Sequence, residues 1–128
     1  MIVADVNLIA FLLLGGSEQP LAQQVLERDP QWAAPLLWRS EFRSVLAAYM
    51  RQRGLGLSDA RRAYGLADEL LAGREYAVPS DRVLELVADS DCSAYDCEYV
   101  ALARELGIPV VTADRQLLRA FPAFSVNP

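Results

Sequence analysis

The sequence predicts an α/β fold built on a parallel sheet with helices on both faces. Two observations carry this expectation. Short apolar runs without polar alternation recur along the chain, as strands buried on both faces require. Segments with apolar residues at helical spacing separate them, so strand and helix patterns alternate and imply right-handed crossovers. The 128 residues fit a single domain, 1–128. A chain of this size buries roughly two-thirds of its unfolded surface, enough for a core without disulfides. No repeat, linker or low-complexity segment interrupts it.

The first apolar run, residues 2–4, ends at Asp5. The second, 31–34, is weaker and closed by Pro35; the third, 75–78, is closed by Pro79. The fourth, 110–112, runs into Ala113 and Asp114, and 124–126 is the last. A helix over 7–14 is expected to stop at Gly15-Gly16, with another over 18–28. Segment 36–52 carries Trp38, Phe42, Val45, Leu46 and Tyr49 at helical spacing. Helices over 58–72 and 80–88 start on Ser58 and Ser80 as N-cap candidates, and Gly73 stops the first. Helix 93–106 opens on the capping-box-like Ser93-Ala94-Tyr95-Asp96 and stops at Gly107, with Pro109 beyond. The last helix is 114–120. The Arg53-Gly54-Leu55-Gly56 turn follows a helix where a phosphate-binding loop would follow a strand, so it carries no functional weight.

Composition excludes much chemistry. Histidine and lysine are absent, and all 12 basic residues are arginine. There is therefore no Ser-His-Asp or Cys-His machinery, no imidazole metal ligand, no Schiff base and no phosphate-loop lysine. Two cysteines cannot build a four-thiolate zinc site or an iron–sulfur cluster. Cys92 and Cys97 are expected on one helix but on different faces, reduced, as in a cytoplasmic protein. The N-terminal run lacks a basic segment and is broken by Asp5, unlike a signal peptide, and no stretch is apolar for long enough to span a bilayer. A net charge of −5 argues against broad attraction to nucleic acid or anionic membranes.

Strong chemistry must then come from carboxylates, and four stand out. In open α/β sheets functional groups gather beyond the carboxyl ends of the strands. Asp5 ends the first strand and Asp114 the fourth; Asp96 lies in the first turn of the helix leading into the fourth. Each also reads as an ordinary helix-start carboxylate. Glu41 shares a helical face with Leu37, Val45 and Ala48, where a carboxylate needs a cation or an arginine as partner. Pairing of Glu41 with solvent or Arg43 is the alternative. Asn7 and Thr112 flank the aspartates, and Thr112 should point the same way as Asp114 along the strand. Both suit a supporting role around a metal, and each by itself reads first as a capping asparagine or an ordinary strand threonine. An oxygen-only cluster suits Mg²⁺ or Mn²⁺, which can activate water and stabilise phosphodiester displacement. Setting the four acids aside leaves the remaining surface nearly neutral, so a local arginine track is possible.

The ordering Asp5…Glu41…Asp96…Asp114 resembles the PIN-domain ribonucleases, and among them the VapC-type toxins of toxin–antitoxin pairs. Val3-Ala4-Asp5-Val6-Asn7 is similar to the family's opening strand, and Arg39-Ser40-Glu41-Phe42 to its helix-borne glutamate. Ser93-Ala94-Tyr95-Asp96 followed by Tyr99-Val100-Ala101-Leu102-Ala103 is the most specific string, and Val111-Thr112-Ala113-Asp114-Arg115 matches the strand-end aspartate. The resemblance implies a three-layer α/β/α sandwich, Mg²⁺- or Mn²⁺-dependent endoribonuclease activity on RNA, a homodimer and a cognate antitoxin. It places the acidic metal site on Asp5, Glu41, Asp96 and Asp114, with Asp5 and Asp96 as principal ligands and Asn7 and Thr112 in support. The sequence departs after the last aspartate, where Arg115-Gln116 replaces a further acidic or amide residue of some relatives; the number of ions stays open. Arg39, Arg43, Arg51, Arg53, Arg61, Arg62, Arg115 and Arg119 are candidate phosphate contacts, Arg115 first among them. Tyr95 reads either as a base-stacking residue or as core.

Two other classes share the strand-end aspartate. A receiver-like, non-catalytic module needs a strand-end lysine and paired acids after the first strand, and this chain has no lysine and only Asp5 there. An aspartyl phosphatase generally wants a second Asp where Asn7 stands, together with a lysine.

Overall fold

The apolar run that opens the chain becomes the middle of the sheet. In the computed structural model, which describes residues 1–128, β1 (Ile2–Ala4) lies between β2 (Trp32–Pro35) and β4 (Val110–Val111). The edges are β3 (Glu75–Tyr76) beside β2 and β5 (Ser125–Val126) beside β4. All pairings are parallel, and Val3 is level with both Ala33 and Val110. Every residue of β1, β2 and β4 is buried, as runs without polar alternation require.

Seven helices cover the sheet: α1 (Val6–Leu14), α2 (Gln19–Arg28), α3 (Trp38–Arg53), α4 (Leu57–Leu71), α5 (Ser80–Ala88), α6 (Ala94–Leu106) and α7 (Arg115–Ala120). Alternation of side chains along β1 divides the core into two layers. Ile2 and Ala4 face the α1–α4 side, with Leu8, Ile9, Trp38 and Phe42. Val3 faces the α5–α7 side, with Val83, Tyr99, Val100 and Leu117. The result is the expected three-layer α/β/α sandwich.

Element ends moved by a residue or two from expectation. Strands two to five occupy less of the right-hand ends, or start later, than the apolar runs suggested, while β2 takes in Pro35. Proline is tolerated there because Ala34 and Leu36 supply the N–H donors toward Arg74 and Tyr76 of the β3 segment. Neither Ser58 nor Ser80 is a cap: α4 starts behind Gly56 and α5 behind Pro79. Ser93 does cap α6, its hydroxyl accepting the Asp96 N–H at 3.1 Å. Gly107 closes α6 with φ +67°, a left-handed turn that suits glycine and sends the chain into β4. Cys92 lies in the turn ahead of α6 and not on the helix with Cys97; both are buried free thiols. No helix is long and apolar enough to cross a membrane.

A polar network ties α3 and α4 to the sheet edge. Glu75 of β3 accepts the Trp38 indole N–H at 2.6 Å and two guanidinium N–H groups of Arg39, at 2.6 and 2.8 Å. Arg39 also reaches Asp68 at 2.9 Å and the Tyr64 hydroxyl. The guanidinium holds the Glu75 carboxyl below its ordinary range. Arg39 is thus committed within the fold, and its candidacy as a phosphate contact falls. Below this network Trp38, Phe42 and Tyr64 pack ring against ring, with Trp38 and Tyr64 stacked at 5.5 Å. Phe42 is fully buried, so Phe42→Ala should destabilise the fold by about 3–5 kcal/mol in denaturant titration.

Candidate active site

Parallel strands share one carboxyl edge, and helices that return to the next strand begin there. Asp5 follows β1, Asp114 follows β4, Glu41 lies in the first turn of α3 behind β2, and Asp96 in the first turn of α6. All four acids therefore lie at one end of the sheet, contributed by four separate segments.

Asp5 is 8% exposed. It occupies the N-cap position of α1 with extended backbone, yet its side chain makes no capping bond. Its Oδ2 instead accepts the Thr112 hydroxyl at 2.6 Å. Burial raises the Asp5 carboxyl above its ordinary range and the Asp96 charge adds to this, while Thr112 and the Val6 and Asn7 amides pull the other way. Thr112 is fully buried, and its Oγ1 also accepts the Asp114 N–H at 3.0 Å. One hydroxyl so joins the ends of the two central strands. The expected same-face alignment of Thr112 and Asp114 on a strand does not occur, because β4 stops at Val111; the link is a local turn bond.

Asp114 does what a helix-start aspartate does. Its Oδ1 accepts the Gln116 and Leu117 N–H groups at 2.9 and 3.1 Å, capping α7. Asp96 is half-buried; burial and the charge of Asp114 raise its carboxyl, against the Ser93 hydroxyl. Glu41 is half-buried as well, but its partner is neither a cation nor an arginine. The Tyr99 hydroxyl donates to its Oε1 at 2.7 Å. Burial raises the Glu41 carboxyl, and the charges of Asp5, Asp96 and Glu98 add to it. Arg43 turns to Ser40.

The four acids are close enough to perturb one another, but no three acidic or cysteine side chains close onto a common point as they stand. Mutual repulsion and separate hydrogen-bond partners explain the spread: Thr112 holds Asp5, Tyr99 holds Glu41, and the α7 amides hold Asp114. Their donor set is all oxygen, and positive charge among them would relieve burial and repulsion together.

Around them, Asn7 is exposed at the start of α1, and Arg115 is exposed beside Asp114 and outside the chain's ion pairs. Tyr95 is 63% exposed, so it is no core aromatic. Sequence reasoning gave no role to Tyr99 or Glu98. The available signal was spacing: Tyr99 is three residues beyond Asp96 and so on the same face of α6.

The chain has known relatives in sequence and in fold. Residues 2–121 match the PIN domain. Over 120 residues, 91% of this chain and 88% of theirs, the sequence is 37% identical to ribonuclease VapC9 of Mycobacterium tuberculosis and to a VapC ribonuclease of Mycobacterium bovis. A toxin–antitoxin complex from Klebsiella pneumoniae contains a chain similar in fold, with TM-score 0.73 and 19% identity over 98% of this chain and 96% of that one. A chain of FitAcB from Neisseria gonorrhoeae gives 0.76 and 18% over 100% and 98%.

Two outcomes follow for stability. Asp5, Glu41 and Asp96 have raised folded-state values, so the native state binds protons more readily than the unfolded chain just above the ordinary carboxyl range. Their contribution to stability is lost as pH rises through that window and regained on acidification. In EDTA at neutral pH, Asp5→Asn should melt above wild type, with the difference shrinking as the pH falls through the carboxyl range. Thr112→Val keeps the shape but strands a buried carboxylate and an amide; denaturant titration should show a loss of about 1–3 kcal/mol.

Proposed function

The chain belongs to the PIN-domain family, and from that premise we propose that it is a divalent-metal-dependent endoribonuclease, the toxin of a toxin–antitoxin pair. The observation that carries the reading is the gathering of Asp5, Glu41, Asp96 and Asp114 at the carboxyl edge of the sheet, in a chain with no histidine or lysine. The ribonuclease names of the relatives support the activity. The toxin–antitoxin setting of the Klebsiella pneumoniae neighbour supports an antitoxin as partner. On this reading the domain 1–128 works in the cytoplasm as a homodimer.

Asp5 and Asp96 would hold Mg²⁺ or Mn²⁺, with Glu41 and Asp114 completing the set. The donor chemistry fits: hard oxygen ligands, held partly out of water and raised by one another's charge. A bound ion supplies the positive charge that polarises a phosphodiester and makes water a better nucleophile. The protein's own share is orientation. Thr112 fixes Asp5 by engaging Oδ2 and leaving Oδ1 outside the bond. Asp114 spends Oδ1 on the α7 cap and keeps Oδ2 outside it. Asn7 supports the site from the start of α1. Arg115, exposed and next to Asp114 in sequence, would hold an RNA phosphate.

The test is cleavage of total RNA with mapping of the cut sites, with Mg²⁺ or Mn²⁺ and with EDTA. Asp5→Asn and Asp96→Asn should each lower the rate by more than about 100-fold, beyond the usual effect of losing an outer-shell partner, while circular dichroism stays that of wild type. Cleavage by Asp96→Asn at the wild-type rate would overturn the assignment.

A further inference from the structure

We propose that Tyr99 is a positioning residue for Glu41, its hydroxyl fixing that carboxylate for a divalent ion at the strand-end site. The inference rests on reading the four acids as a metal site. Tyr99 is 2% exposed and belongs to the core layer of α5–α7, while Glu41 belongs to α3 on the opposite side of the sheet. The bond between them, 2.7 Å long and 58 residues apart in sequence, therefore spans the two helical layers at the carboxyl edge of the sheet.

The geometry repeats that of Asp5. Thr112 engages one oxygen of Asp5, and Tyr99 engages one oxygen of Glu41, through Oε1, leaving Oε2 outside the bond. In both cases a neutral hydroxyl orients a carboxylate without cancelling its charge. An arginine in the place of Tyr99 would satisfy Glu41 more strongly but would put a fixed positive charge where a cation is to bind. A hydroxyl leaves the charge available. A rigid aromatic ring locked in the core is also a firm mount, since it has only two side-chain torsions and packing restrains both. Tyr99 shares its helix face with Asp96, so one helix would place a principal ligand and the group that aims a second one.

The test is Mn²⁺ alone, titrated calorimetrically into the wild-type chain, Tyr99→Phe, Glu41→Gln and the double variant, with melting temperatures alongside. Tyr99→Phe keeps the ring, and it should weaken Mn²⁺ binding by about tenfold, as loss of an outer-shell partner does. In the Glu41→Gln background the same change should add nothing, because Tyr99 acts through Glu41. Equal Mn²⁺ affinity of Tyr99→Phe and wild type would overturn the proposal. So would the same tenfold loss in the Glu41→Gln background, which would mark a merely structural effect. If wild type bound no Mn²⁺, or bound it regardless of Asp5→Asn, the metal-site reading itself would fall.

Discussion

The Thr112 hydroxyl, held between the Asp5 carboxylate and the Asp114 amide, is the contact on which the strand-end geometry turns. Asp5 is almost fully buried directly after the central strand, where an unpartnered carboxylate would be expensive. Thr112 is the side chain that donates to it, and the same oxygen fixes where the chain leaves β4. Register does the rest. Val3 is level with Val110 and Ala4 with Val111, so the residues just beyond, Asp5 and Thr112, emerge side by side. The acid is thereby placed by the pairing of two buried strands, and its position is as rigid as the core.

The acids as a group work against the fold that holds them. Burial raises Asp5, Glu41 and Asp96, and their charges raise one another. A structure selected for stability alone would answer with arginine, and one is close at hand. Arg39 lies two residues before Glu41 on α3, but that spacing points it away from Glu41, and Glu75 and Asp68 hold it. The site is left with hydroxyls and amides as its partners. Unfavourable charge concentrated at one place and uncompensated by the chain is the arrangement in which perturbed groups gather for function.

Much of this was legible in the sequence because it follows from local pattern. Unalternated apolar runs predict five strands, and their alternation with helices predicts a sheet covered on both faces. Ser93 and Asp114 act as caps because their side-chain oxygens meet free helix amides within three residues. What escaped depends on contacts between segments distant in sequence. Nothing near Ser58 or Ser80 reveals that the cap positions fall earlier, on Gly56 and Pro79. Nothing near Arg39 reveals Glu75, or near Glu41 reveals Tyr99. The sequence pattern puts Cys92 on a helix, whereas the N-cap at Ser93 leaves it one residue outside. Tyr95 was ambiguous for the opposite reason: it follows the N-cap, where helical spacing does not yet say which face meets the core.

The electrostatics leave a problem that any RNA-cutting reading has to solve. The chain carries a net −5 and concentrates four of its acids at the proposed site, so a polyanion is repelled there in the absence of cations. Attraction must then be local. Several arginines are already occupied: Arg39 by Glu75 and Asp68, Arg74 by the Trp32 and Leu70 carbonyls, Arg82 by Glu85. Arg115 stands apart from these, exposed and one residue from Asp114. A cation among the acids would turn the most repulsive part of the surface into the most attractive, with Arg115 at its margin. On that reading substrate and ion depend on the same four carboxylates, and recognition of RNA is conditional on the metal that cuts it.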